Sequence, residues 1–189
     1  MTNTEIMLSQ REIDALAKRV DRPIALVGMM GVGKSTVGRR LAVLLNLPFV
    51  DADDEIERAA RMSVSEIFER FGEPNFRDGE RRVIARLVGE KPAVIATGGG
   101  AFCNDETRAL ILGQTIAVWL DSDVDTLVER VGRKDARPLL KGGDPREILD
   151  RLKREREPFY REAPLHVLSR PGPHDQTVQQ ILKAIDQWL

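Results

Sequence analysis

Gly28-Met29-Met30-Gly31-Val32-Gly33-Lys34-Ser35 fits the spacing G-x-x-x-x-G-K-[ST], with an apolar run before it and a helical pattern after it. Glycines at these positions let backbone N–H groups turn inward around a phosphate, and the helix N-terminus that follows adds its partial positive charge. Gly31, Val32 and Gly33 form the cradle, and Lys34 is a point charge for the β- and γ-phosphate oxygens. Ser35 offers a hydroxyl to Mg²⁺, and Thr36 one to the α-phosphate. A bare match to this pattern arises by chance in about one chain in a hundred of this size. The required strand-then-helix context makes chance rarer still, so the segment predicts a phosphate-binding loop (P-loop).

Asp51-Ala52-Asp53 is the second group with chemistry in it. On a strand, alternation would send both carboxylates to one side, toward the carboxyl edge where the phosphates sit. One would serve Mg²⁺ through water, because Mg²⁺ gives up its hydration shell reluctantly. The other would accept the proton of a substrate hydroxyl and hold that hydroxyl in line. The same acidic run, Asp51 to Glu55, would also suit a helix N-terminus. Gly98-Gly99-Gly100 is either a turn or a place where backbone N–H groups approach a ligand closely. Arg77, Arg137 and Arg156, each taken alone, read as surface residues. Together they gain weight: Arg130 to Arg161 holds 11 basic residues against 6 acidic, a local excess of 5 that suits a transferred phosphoryl group.

These residues need a scaffold. Ile24-Ala25-Leu26-Val27, Pro48-Phe49-Val50-Asp51, Ala93 to Ala96, Thr115 to Leu120 and Leu165 to Leu168 read as short buried strands. Helical spacing fills much of the intervals: Val37 to Leu45, the stretch from Asp53 to Gly89 with a Ser63/Glu66 capping box, Val124 to Val131, a helix opened by Asp144-Pro145, and one from about Asp175. Strands alternating with helices predict an α/β fold of three layers, α/β/α, with a central mostly five-stranded parallel sheet. Ligands in such a fold bind at the carboxyl ends of the strands. The apolar-poor segment about 132–145 predicts a mobile lid, and 53–90 a helical substrate-binding region. Residues 1–21, with Ile6, Ile13, Leu16 and Val20 at helical spacing, are either an amphipathic helix or a loosely attached extension to a single domain spanning 22–189.

Composition sets outer limits. The chain has 189 residues, a formal net charge of -1, 42% hydrophobic residues and one cysteine, Cys103. That length suits one domain without staples. A lone cysteine excludes an internal disulfide and suits a reducing compartment, hence a cytoplasmic protein. No apolar run approaches the roughly 20 residues of a membrane helix, and near-neutral charge argues against a nucleic-acid partner. Cys103 reads as a small buried filler, His166 as strand packing and His174 as a helix cap.

In order along the chain, the P-loop, Asp51-Ala52-Asp53, Phe76-Arg77, Thr97-Gly98-Gly99-Gly100, Arg137-Pro138-Leu139-Leu140 and Arg156-Glu157-Pro158-Phe159-Tyr160 resemble the shikimate kinase family. The resemblance spans nearly everything from Arg22 to Trp188 and says nothing about the first 20 or so residues. It implies an enzyme that moves a phosphoryl group from ATP to the 3-hydroxyl of shikimate, with Mg²⁺ as cofactor. Arg77 and Arg156 would hold the shikimate carboxylate, and Asp53 would bond the ring hydroxyls and orient or deprotonate the 3-hydroxyl. Gly98, Gly99 and Gly100 would line the substrate, Gly99 touching it. Asp51 would assist Mg²⁺ with Ser35. Arg137 would reach ATP from the lid, and Arg130 would flank adenine with the prolines of the loop Ser169 to Pro173. A functional monomer is expected, with or without residues 1–20. The alternatives are another small-metabolite kinase, such as a gluconate kinase, or a non-catalytic ATP-binding regulator. The first would not be expected to carry the Asp51/Asp53, Arg77 and triple-glycine set together. Against the second, none of the expected polar positions is replaced.

Overall fold

The computed structural model describes residues 7–132, 140 and 142–189. Five strands form one parallel sheet: β1 (Ile24–Val27), β2 (Phe49–Asp51), β3 (Val94–Ala96), β4 (Ile116–Asp121) and β5 (Leu165–Leu168), in the order β2-β3-β1-β4-β5. β1 lies at the centre, with Ile24 beside Val94 on one side and beside Ile116 on the other. All four of its residues are buried, as a parallel strand covered on both faces requires.

The helices are α1 (Gln10–Arg19), α2 (Lys34–Leu45), α3 (Ala52–Ala60), α4 (Val64–Val88), α5 (Asp105–Gln114), α6 (Val124–Val131), α7 (Pro145–Tyr160) and α8 (Asp175–Trp188). α2 packs on the sheet and against α1 and α8, while α4, α5 and α7 meet around a 3₁₀ turn at Ala101–Cys103. α2 comes close to the sheet because Gly38 has no side chain: a Cβ there would stand 2.6 Å from the Phe49 ring. The helix ends at Asn46, whose left-handed backbone (φ 52°) closes it.

Two local signals form as expected. Ser63 and Glu66 make a reciprocal capping box for α4, and Asp144 caps α7 with Pro145 at its first position. The long helical stretch is not one rod, however. It breaks between α3 and α4, and α4 bends at Gly72 (φ 78°, ψ 170°), two residues before Pro74. Ile56, Ile67 and Phe76 form a small apolar cluster under α3 and α4, apart from the main core. The sequence pattern assigned no element to 101–114, where the 3₁₀ turn and α5 stand, the latter capped by Asn104.

α1 carries its own capping box, Ser9 with Glu12, and buries Ile13 and Leu16 in the same core as β1 and α2. Leu8 N–H donates to Gln179 Oε1 on α8 at 3.0 Å. Of the two readings offered for this segment, residues 10–19 are the packed amphipathic helix. Among the described residues no helix is long and apolar enough to cross a membrane.

Candidate active site

An open cavity of about 580 Å³ lies at the carboxyl ends of β1, β2 and β3, walled by the P-loop, the start of α3, the two segments of α4 and the glycine loop after β3. Its nucleotide side is the P-loop. Gly31 has φ 82°, a left-handed conformation that favours glycine, and a Cβ there would meet Val131 at 2.8 Å. Lys34, buried at the start of α2, donates from Nζ to the carbonyls of Gly28 (2.7 Å) and Met29 (2.8 Å), so its ammonium is held within the loop it follows. Gly33, Ser35 and Thr36 face the same cavity.

Ser35 Oγ donates to Asp51 Oδ2 at 2.6 Å, and the other Asp51 oxygen accepts from the Asp53 backbone N–H at 3.0 Å. Strand alternation is not what brings the two carboxylates together. β2 stops at Asp51, which caps α3, and Asp53 lies in the first turn of that helix. Helix start and site are the same feature here, since the turn carries both acids to the cavity. Burial, and then the neighbouring Asp51, push the Asp53 carboxyl above its ordinary range, while Lys34 and Arg77 pull against that shift.

The glycine loop lets four charged groups converge. A Cβ on Gly98 would stand 2.6 Å from Glu80 Oε1 and 3.1 Å from Asp53 Oδ1. One on Gly99 would stand 3.2 Å from Arg156 Nη1, and one on Gly100 would be 2.6 Å from Arg77 Cζ. Any side chains there would occupy the space where these acids and arginines gather.

Arg77 donates from Nη1 to Glu80 Oε2 at 2.8 Å and from Nη2 to Glu73 at 3.1 Å, and lies 5.1 Å over the Phe76 ring. Glu80, only 1% exposed, is the residue that sequence reasoning missed. Its signal was present, since a Glu three residues after an Arg on a helix is an ion-pair spacing. Its burial was not readable from that spacing. Among the described residues, the buried atoms Glu80 Oε1 and Arg156 Nη1 have no hydrogen-bond partner. Burial pushes the Glu80 carboxyl up, and Arg77 opposes that.

Arg130 lies at the other end of the cavity. It donates to the carbonyl of Val32 (2.9 Å), to Ser169 Oγ (3.1 Å) and to the carbonyl of Arg170 (2.9 Å), joining the P-loop to the loop after β5. His174 stands at the cap position of α8 but makes no capping hydrogen bond. Its ring lies instead 3.2 Å from where a Gly33 Cβ would be, and burial with Arg130 nearby lowers its pKa. His166 does pack on the sheet, stacked on Trp119 at 4.0 Å. Cys103 is half-buried, with its thiol pKa pushed up by burial. Arg137, Pro138 and Leu139 lie outside the described residues.

The comparisons with known proteins agree with this geometry. A sequence model of the family described as shikimate kinase matches residues 30–186. The chain belongs to the shikimate kinase family. It is 66% identical to a shikimate kinase of Novosphingobium aromaticivorans over the whole of both chains. It is 58% identical to one of Caulobacter vibrioides, across 92% of this chain and 87% of that one. Among solved structures, a shikimate kinase from Acinetobacter baumannii in complex with shikimate superposes with a TM-score of 0.86 at 37% identity, covering 95% of this chain and 98% of that one. The chain is therefore a P-loop kinase, and its five-stranded parallel sheet is that of shikimate kinases. A family of ATP-using kinases implies a divalent metal. Among the described residues no cluster of three or more His, Cys, Asp or Glu side chains is shaped for one. The Ser35 hydroxyl beside the Asp51 carboxylate does fit a hard cation that keeps most of its water and takes its remaining ligands from phosphate.

Proposed function

We propose that the chain transfers the γ-phosphoryl group of ATP to the 3-hydroxyl of shikimate, giving ADP and shikimate 3-phosphate on the route to chorismate and the aromatic amino acids. The observation that carries this reading is the convergence at Gly98-Gly99-Gly100. Asp53 and Arg77, both half-buried, and the buried Arg156 surround the glycine loop in the same cavity as the P-loop. A small ring carrying a carboxylate and several hydroxyls matches that arrangement. Arg77 and Arg156 take the carboxylate, for which paired guanidinium donors are suited. Asp53 accepts from the ring hydroxyls and receives the proton of the 3-hydroxyl as the oxygen attacks. Its raised pKa brings it nearer to the operating pH, which favours a general base.

On the nucleotide side, backbone N–H groups of Gly31, Val32 and Gly33 hold the β-phosphate, Lys34 the β/γ oxygens and Thr36 the α-phosphate. Ser35 and Asp51 are the residues we assign to Mg²⁺, which supplies charge neutralisation between the phosphoryl oxygens when bound. Arg130 lies beside the adenine end, and Arg137, outside the described residues, is the remaining cation we assign to the transferred group. There is little covalent work for the protein in such a transfer, so positioning and electrostatics carry the catalysis. We further assign residues 10–189 to one domain, since α1 shares its core, with 53–90 as its substrate-binding part and 132–145 as its lid. We take the enzyme to be a cytoplasmic monomer with no nucleic-acid or membrane partner.

A coupled assay of ADP release with shikimate, gluconate and AMP as acceptors tests the reading. Shikimate alone should support turnover. Gluconate or AMP turnover without shikimate turnover would overturn it, and ATP binding without any turnover would favour a regulatory protein.

A further inference from the structure

The chain has a single tyrosine, and no step above uses it. Tyr160 ends α7 and is 1% exposed. Its ring is stacked against Trp119 of β4, centroids 6.1 Å apart and planes 30° apart. Its hydroxyl donates to the backbone carbonyl of Gly99, the middle residue of the glycine loop, and Met29 Sδ of the P-loop lies 3.9 Å from the same oxygen. Burial pushes the phenol pKa above its ordinary value, so the hydroxyl is a protonated donor at neutral pH.

Two further facts give this contact direction. Arg156 precedes Tyr160 by one helical turn on α7, and its Nη1, which has no hydrogen-bond partner among the described residues, lies 3.2 Å from where a Gly99 Cβ would stand. The Gly99–Gly100 peptide is trans, as are all the others described, so its C=O and the Gly100 N–H point opposite ways. The carbonyl is held on the buried Tyr160, so the Gly100 N–H points away from that ring, and both Gly99 and Gly100 line the cavity.

We propose that Tyr160 is a positioning residue for the acceptor half of the site: its hydroxyl fixes the Gly99–Gly100 peptide plane and, through α7, the place of Arg156 beside it. The proposal rests on the shikimate reading given above. A glycine triplet has the widest backbone freedom available, so without an anchor on its carbonyl the peptide can rotate and the N–H is lost to the substrate.

Tyr160→Phe keeps the ring and its stack and removes one donor. Loss of a hydrogen bond that leaves a partly buried carbonyl unpartnered predicts about a tenfold rise in KM for shikimate. KM for ATP and kcat should stay within about twofold, and the Kd of shikimate measured calorimetrically without nucleotide should rise by the same factor as its KM. An unchanged shikimate KM, or equal rises in both KM values, overturns the proposal, because a merely structural hydroxyl would lower Tm without favouring one substrate. If the variant does not fold, 3-fluorotyrosine incorporated into the otherwise unaltered chain gives a single ¹⁹F resonance. That resonance should shift as shikimate saturates the site, and a resonance that stays in place overturns the proposal. Failure of the unaltered protein to phosphorylate shikimate would instead remove the functional reading itself, and that is measured first.

Discussion

Arg77 and Glu80 face each other across one turn of α4, Nη1 to Oε2 at 2.8 Å, and the acid of the pair is the more buried. Glu80 therefore fixes the direction in which Arg77 presents its guanidinium to the cavity. Its second oxygen, Oε1, stands where a side chain on Gly98 would be and has no hydrogen-bond partner among the described residues.

Glu80→Gln should accordingly act on the substrate rather than on the nucleotide. Arg77 loses its charged partner but keeps Glu73, and a buried pair broken on one side is costly. We expect KM for shikimate to rise at least about tenfold, with KM for ATP changed less than about twofold. Steady-state kinetics with each substrate varied in turn checks this.

Asp53→Asn should lose nearly all phosphoryl transfer, at least about a thousandfold, while binding ATP normally, because the base is removed and the P-loop is untouched. The pH dependence follows from the raised carboxyl. Transfer needs Asp53 ionised, so activity should fall on acidification at a pH above the ordinary aspartate range. Stability runs the other way. A carboxyl that titrates higher in the fold than in the unfolded chain favours the fold below its unfolded pKa, and the benefit is lost as pH rises through the folded value. At neutral pH the variant should thus melt above the wild type, by about 2–4 °C for each kcal/mol of relieved burial and repulsion. A pH–rate profile and calorimetric melting test the two halves separately.

The Ser35–Asp51 contact predicts a shared phenotype. Ser35→Ala and Asp51→Asn should each raise the Mg²⁺ concentration needed for half-maximal rate, and chelation should abolish activity in all forms. The double variant should cost less than the product of the two singles, because the residues are hydrogen-bonded. A Mg²⁺ titration of initial rate for the four proteins measures it.

Leu16→Ala should destabilise without touching catalysis. Leu16 is 1% exposed in the core shared by α1, α2 and β1. Truncating a buried leucine costs about 2–5 kcal/mol, so Tm should fall by roughly 4 °C or more, with both KM values unchanged. Thermal melting and kinetics together check it, and a shift in KM with an intact Tm would contradict the packing described.

Much of the architecture was legible before any coordinates. The P-loop spacing, the five apolar runs and the capping pairs Ser63/Glu66 and Asp144/Pro145 are local patterns. Local patterns survive folding because they describe how neighbouring residues satisfy each other's backbone groups. The order β2-β3-β1-β4-β5, the bend at Gly72 and the helix at Asp105–Gln114 were not legible. The first is a choice among strand partners far apart in the chain. The bend depends on how α3 and α4 close over their own small apolar cluster. The third carries a mixed face with little periodic contrast.

The site divides along the same line. From its residues alone the chain determined that a nucleotide phosphate is held, and family likeness added which acids and arginines serve the acceptor. Only the tertiary structure decided how they meet. Asp53 reaches the cavity from a helix turn rather than a strand, and Glu80 lies buried between Gly98 and Arg77. Tyr160 touches the glycine loop from 61 residues away in the chain. The physical reason is burial. Which of many similar charges loses its water, and so acquires a shifted pKa or an obligatory partner, is set by everything packed around it and not by its neighbours in sequence.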